Sequence, residues 1–220
     1  GIRACMKEIG FDDVDEEMLT RYEKINRSYW EALERGEITK QEVLIGRFKT
    51  FFAQEGICCP DIAAFNPSSV NTIRVQTLVE NGKCHHLYAG FRMGRGALVD
   101  NFHAGGIIAS IDVKTGITCM DAIDLDGVHY PVHPESKLPT LGFQIPHWDK
   151  VLEMTENAAL RLENVGLVGW DVAITRDGPC LVEGNSEASY MIIQLPYVDS
   201  RIGMRKLFSQ FLDESDLSQS

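Results

Sequence analysis

The stretch Gly169-Trp-Asp171-Val-Ala-Ile-Thr175-Arg-Asp177-Gly-Pro-Cys180-Leu-Val-Glu183-Gly-Asn185 decides how this chain folds. Two apolar runs flank Arg176-Asp-Gly-Pro179, whose composition is that of a turn, so the stretch reads as a β-hairpin. With the turn centred on Asp177, Asp171 falls opposite Glu183 and Val172 opposite Val182. Directly opposed β-carbons stand ~4.5–5.5 Å apart, and Asn185, two residues past Glu183, shares its face. Two carboxylates that close repel, so the pairing calls for a cation. Two carboxylates and a carboxamide are hard oxygen donors of the kind Mg²⁺ takes, with water and phosphate completing its shell. The alternative is a surface hairpin with incidental acids.

Upstream, the same period of two recurs. Residues 70–79 alternate Asn71, Ile73, Val75 and Thr77 against Thr72, Arg74, Gln76 and Leu78. Residues 87–93, 107–113 and 117–123 also read as strands, with Lys114-Thr-Gly116 as a tight connection. An amphipathic helix is expected over 148–162, with Val151, Leu152, Thr155, Ala158, Ala159 and Leu162 inward. A last helix is expected over about 200–212, before a polar tail that should fray. The expected class is α+β, an antiparallel sheet with packed helices. On this sheet Arg74 needs an anion, and a phosphate suits its planar fork. Arg92 and Arg95 lie beside Gly94 and Gly96, and Asn101-Phe-His103-Ala-Gly105-Gly106 is a polar, glycine-rich loop that opens a strand.

Residues 1–57 have another texture. A short helix is expected over 2–9, ending at Gly10. Asp15 is placed to cap a second, whose stripe is Met18, Leu19, Tyr22, Ile25, Tyr29, Trp30 and Leu33. Gly36 suits the residue that closes it. Thr39-Lys-Gln-Glu42 is a capping box opening a third helix, which buries Val43, Leu44, Phe48, Phe51 and Phe52. The chain thus divides into an all-helical segment, 1–57, and a sheet unit, 58–220. Gly56 to Pro60 is expected to be an exposed connection with few contacts across it.

Composition narrows the function. The 220 residues carry 21 Lys and Arg against 32 Asp and Glu, a net charge of −11. An acidic chain with no basic stripe repels a phosphate backbone, which argues against nucleic acid as a partner. No apolar run approaches the ~20 residues of a membrane span. The opening Gly-Ile-Arg-Ala-Cys-Met lacks an initiator Met and the apolar core of a signal peptide, and reads as a processed product or fragment. Six cysteines without a Cys-x-x-Cys pair read as reduced thiols in a cytoplasmic protein. The six histidines make no metal set by spacing; in His129-x₃-His133, Pro131 forbids the aligning helix. Trp30, Trp148 and Trp170 read as core.

The motifs Asn71-Thr-Ile-Arg74, Arg92, Asn101-x-His103-x-Gly105-Gly106, Gly169-Trp-Asp171 and Glu183-Gly-Asn185 occur in the order seen in ATP-grasp ligases. The wording Asn66-Pro-Ser-Ser-Val-Asn-Thr-Ile-Arg74, with Gly169-Trp-Asp-Val-Ala-Ile174, resembles most the sugar-transfer-associated ATP-grasp family. The likeness covers about 58–212. It implies an ATP- and Mg²⁺-dependent carboxylate–amine ligase acting through an acyl phosphate on small-molecule carboxylate and amine substrates. In that reading Asp171, Glu183 and Asn185 hold Mg²⁺, and Arg74 and Arg92 are catalytic. Arg95, Asn101, His103, Gly105 and Gly106 bind the nucleotide. No Gly-rich, Lys-bearing strand precedes Asn66, so the likeness is to the catalytic half, and the ligase is expected to be incomplete in this chain. Residues 2–57 are similar instead to the helical cap of haloacid-dehalogenase-like phosphatases of the pyrimidine nucleotidase kind, carried by Tyr22-Glu-Lys-Ile-Asn26, Trp30 and Arg47-Phe48. The Asp-x-Asp nucleophile of that family does not precede them. Asp124-Leu-Asp126-Gly127 looks like it but follows the cap, and reads as a hairpin turn. A nucleotidase and a non-catalytic fusion without a nucleotide pocket are the competing readings.

Overall fold

Asn81 and Gly82 both take positive φ, 50° and 73°, the two-residue turn whose twist matches that of paired strands. They join the two longest strands of a computed structural model that describes residues 14–67, 70–95, 105–186, 188, 190–194 and 203–211. These strands are β1, Thr72–Glu80, and β2, Lys83–Met93. Five more follow: β3, Ile107–Ile111; β4, Ala122–Ile123; β5, His129–Tyr130; β6, Leu167–Ile174; and β7, Pro179–Asn185. They form one antiparallel sheet in the order β5-β4-β3-β2-β1-β6-β7. The expected α+β class is therefore observed.

Side chains alternate across a strand, and the two faces differ in kind. One face carries Ile73, Val75, Phe91, Met93, Ala109, Trp170, Val172 and Ile174, all buried. Helix α4, Trp148–Leu160, covers it with Trp148, Val151 and Ala159. The two buried tryptophans satisfy their ring N–H groups: Trp170 donates to Thr77 Oγ1 at 2.8 Å, and Trp148 to the Val113 carbonyl at 2.9 Å. Gly116, at φ 73°, lies so close to Trp148 that a β-carbon would stand 2.3 Å from its ring. The other face carries Arg74, Gln76, Arg92, Asp171 and Glu183.

Upstream of the sheet stand α1, Glu16–Glu34, α2, Lys40–Gln54, and the single turn α3, Pro60–Ala63. The expected caps are in place. Asp15 Oδ1 accepts from the Met18 amide at 2.6 Å, and Thr39 and Glu42 form the reciprocal box. The two long helices approach closely at Gly46, where a β-carbon would stand 2.5 Å from the Tyr29 ring. Tyr22 stacks on Phe48 at 5.6 Å and meets Phe51 edge-on at 5.3 Å. Trp30 and Leu44, expected inward, are exposed, because each helix covers only part of the other's stripe.

Several expectations are corrected. The joint is not an exposed connection: Ile57, Cys58 and Cys59 are buried. The Cys59 amide donates to the Ile174 carbonyl at 2.8 Å and Arg176 N to Ile57 O at 3.2 Å, while Cys58 bridges Thr175. The apolar faces of α1 and α2 share one cluster with Val70 and Ala173, because a pair of helices leaves part of each apolar stripe uncovered. Residues 117–123 are a strand only at Ala122–Ile123; Ile117 and Thr118 instead make isolated bridges to Gln144 and Ile111. The last helices are short: α5, Tyr190–Gln194, and α6, Arg205–Phe208, with 195–202 and 212–220 outside the described residues. The expected helix over 2–9 also lies outside them. Ile192, Ile193 and Met204 of this region join Tyr88, Ile108 and Ile123 in a cluster that borders the polar patch of the sheet.

Candidate functional site

Strand β1 sits between β2 and β6, so its polar residues are flanked on both sides. Arg74 pairs across to Gly90 on β2 and to Asp171 on β6, and Asp171 in turn pairs to Glu183 on β7. The opposition of Asp171 and Glu183 is as expected, but the route to it is not. Val172 lies opposite Leu181 rather than Val182. Near the turn, where Thr175 N donates to Gly178 O at 2.8 Å, the pairing is one residue out of the expected register. An irregularity between Asp171 and Val172 takes up that residue. Such a bulge inserts an extra residue on one strand and re-aims the side chains beyond it. Here it restores Glu183 to the place facing Asp171 and leaves Gly169 opposite Asn185.

The opposed carboxylates call for positive charge, and two guanidiniums meet Asp171. Arg92 Nη1 donates to Asp171 Oδ2 at 2.9 Å, and Arg74 Nη2 donates to the same oxygen at 3.3 Å. Arg74 Nε lies 2.9 Å from Oδ1. Asp171, Arg92 and Arg74 are only 3%, 5% and 9% exposed. An isolated charge at such depth costs several kcal/mol, and pairing offsets that cost. Asp171 Oδ1 is buried and makes no aligned hydrogen bond. Glu183 and Asn185 are half-buried on β7. Among the described residues no group of three or more His, Cys, Asp and Glu is placed to hold a metal ion.

Arg95, expected to bind the nucleotide, makes its contacts here within the chain. It donates to the Gly105 carbonyl and, at 2.6 Å, to Tyr130 Oη. Its guanidinium stacks on the Tyr130 ring at 4.8 Å and lies 3.6 Å from Asp124 Oδ2. Arg95 thus ties the end of β2 to Gly105 and to the β4–β5 hairpin. That hairpin is the expected turn, Asp124-Leu-Asp126-Gly127. Asp124 Oδ1 accepts from the amides of Asp126 and Val128, both at 3.0 Å, and Gly127 takes φ 81°. Burial pushes the Asp124 carboxyl up, but the Val128 amide, the Tyr130 hydroxyl, the Asp126 amide and Arg95 outweigh it and hold its pKa below the usual value. Gly106 is buried at the start of β3. Asn101 and His103 lie outside the described residues.

Two residues whose parts were not legible set the end of β2. Asn71 donates to the Ile62 carbonyl at 2.8 Å and accepts from the Gly94 amide at 3.2 Å. His133 Nε2 meets the Gly94 carbonyl at 2.9 Å, while its Nδ1 accepts from the amides of Glu135 and Ser136. The Gly94 peptide is therefore held from both sides, between Arg92 and Arg95. Asn71 carried a signal in the Asn-Thr-Ile-Arg motif; His133 carried none, because its partner is 39 residues away.

Comparison with known proteins returns no match among curated proteins and none among solved structures. A family model does match, described as sugar-transfer-associated ATP-grasp, over residues 43–208. The match begins inside α2, within the segment likened to a phosphatase cap, and nothing in the comparisons supports that second likeness. Its span takes in the whole sheet, the Arg74–Arg92–Asp171 cluster and the β6–β7 hairpin, three quarters of the chain; the chain belongs to the sugar-transfer-associated ATP-grasp family.

Proposed function

We propose that the polar face of the sheet is the catalytic face of an ATP- and Mg²⁺-dependent ligase that joins a small-molecule carboxylate to an amine. The observation that carries this reading is the meeting of Arg74, Arg92 and Asp171, with Glu183 across the bulge, on one face of a family member's sheet. The donor set suits Mg²⁺. Asp171 Oδ1 is a buried oxygen with lone-pair capacity to spare, Glu183 stands opposite, and Asn185 adds a neutral oxygen on the same strand. When bound, Mg²⁺ supplies charge neutralisation to phosphate oxygens. Arg74 and Arg92 lie on the same face and in contact with Asp171, so an incoming phosphate can take over part of their hydrogen bonding. A guanidinium fork fits phosphate as it fits carboxylate. In the reaction, a carboxylate oxygen of the substrate attacks the terminal phosphorus of ATP and ADP leaves. The amine then attacks the acyl carbon, losing a proton, and phosphate leaves. The chain provides no nucleophile; it positions and neutralises charge.

The competing reading is a purely structural ion-pair cluster, favoured by the closeness of both arginines to Asp171. Calorimetric titration of the full chain with Mg·ATP separates the two. Binding that needs Mg²⁺ and is lost in Glu183→Gln supports the ligase site. Absence of binding in a folded protein assigns the cluster a structural role alone. No helix among the described residues is long and apolar enough to cross a membrane.

A further inference from the structure

Gln76 stands apart from the other polar residues of this face. It is 1% exposed, and its Nε2 is sealed from solvent with no hydrogen-bond partner. A buried amide left unpaired destabilises the fold, and native folds keep such groups rarely. The sheet register says which neighbours it has. Gln76 is two residues from Arg74 on β1 and therefore on the same face. It pairs across to Tyr88 on β2 and to Gly169 on β6, and Gly169 pairs in turn to Asn185 on β7. The row is thus Tyr88, Gln76, Gly169, Asn185, directly beside the row Gly90, Arg74, Asp171, Glu183. Gly169 has no side chain, and a β-carbon there would stand 2.8 Å from Arg74 Nη1 and 2.9 Å from the Ala188 β-carbon. A side chain at that position would crowd Arg74 and part Gln76 from Asn185. The β2 side of Gln76 is closed by Tyr88, itself in the cluster with Ile192 and Ile193.

We infer that Gln76 is a further ligand-binding residue, whose carboxamide donates a hydrogen bond to a phosphoryl oxygen of the nucleotide bound over this face. The inference rests on the reading of the face as a Mg·ATP site, which puts the phosphates between Asn185 and Arg74, beside Gln76. A neutral donor suits this place. It satisfies an oxyanion without adding to the two guanidiniums already present, and without the ligand it is the one member of the two rows with an unmet buried donor among the described residues outside the ion-pair cluster.

The test compares the unmodified 220-residue chain with Gln76→Leu, Gln76→Glu and Glu183→Gln. Titration with Mg·AMP-PNP and thermal melting without nucleotide are the two readouts. The expected result is that Gln76→Leu melts at or above the wild-type temperature without nucleotide, since it removes an unpaired buried amide. Its affinity for Mg·AMP-PNP falls about tenfold or more, the usual weight of a hydrogen bond to a charged group. Gln76→Glu keeps the shape and lowers the affinity further, because a carboxylate repels phosphate. Wild-type affinity in Gln76→Leu, alongside lost binding in Glu183→Gln, would overturn the role of Gln76 and leave the site standing. A melting temperature several degrees lower in nucleotide-free Gln76→Leu would also overturn it, by showing that the amide serves the fold. If the folded wild type does not bind Mg·AMP-PNP at all, both the site and the role of Gln76 fall.

Discussion

One sheet of this protein presents two faces that are held by opposite physics. On the face under α4, Phe91, Val75 and Val172 are fully buried and contribute in proportion to the apolar area they remove from water. On the other, Arg74, Arg92 and Asp171 are nearly as deeply buried, yet burial works against each of them and only their mutual contacts compensate. The same strand serves both: Ile73 and Val75 point one way, Thr72, Arg74 and Gln76 the other. The apolar face explains why the sheet forms. The charged face is tolerated because the sheet forms.

Truncation should separate the two faces. Phe91, at 0% exposure and in ring contact with Phe65 and Phe143, is the larger loss: Phe91→Ala should cost about 4 kcal/mol in urea denaturation, as large-to-small core changes do. On the polar face, Asp171→Leu should cost about 3 kcal/mol, because it strands two buried guanidiniums. A cost under ~1 kcal/mol would mean that the arginines reach solvent and that the contrast between the faces is weaker than drawn. The third prediction concerns a polar residue on the apolar side. His86 Nε2 lies 3.0 Å from Thr155 Oγ1 of α4. Burial holds its pKa below the usual value against the opposing pull of Glu156 and the Leu152 carbonyl. A histidine whose folded pKa is depressed binds its proton more readily when unfolded. Its contribution is therefore complete above the unfolded value of about 6.5 and declines as pH falls from there toward the folded value. His86→Gln should flatten the stability–pH curve in that acidic window, and an unchanged slope would place the ring in water. The smallest effect is expected at Glu183→Gln without metal: a change within about 0.5 kcal/mol. Relief of repulsion would make the variant more stable, but two guanidiniums already balance Asp171. A clear gain in stability would restore the picture of two uncompensated carboxylates.

The strands were readable because alternation is local. Each of β1, β2, β3, β6 and β7 lies where the period of two places it, within a few residues of its ends. Both helix caps were readable for the same reason: Asp15 and Thr39 act on amides three residues away. The site was readable in part. The turn and the alternation place Asp171, Glu183 and Asn185 on one face, and put Arg74 on the polar side of its own strand. That Arg74 and Arg92 would converge on Asp171 was not, since they are 97 and 79 residues from it in the chain. Arg95 has the same composition cue as Arg92 but meets Asp124 and Tyr130 instead, and nothing in the spacing of the two arginines distinguishes them.

The sequence by itself determined the period of each element, the caps, the turn residues and the polar side of β1, because these depend on contacts within a few residues. Only the tertiary structure decided the strand order that sets Arg74 against Asp171, the bulge that brings Glu183 opposite it, and the burial of Ile57 to Cys59 against the hairpin. Those depend on which surfaces are left uncovered once the elements exist. The apolar stripes of α1 and α2 must be buried against Val70 and Ala173, and buried charges must pair with whatever charge the neighbouring strands bring within reach.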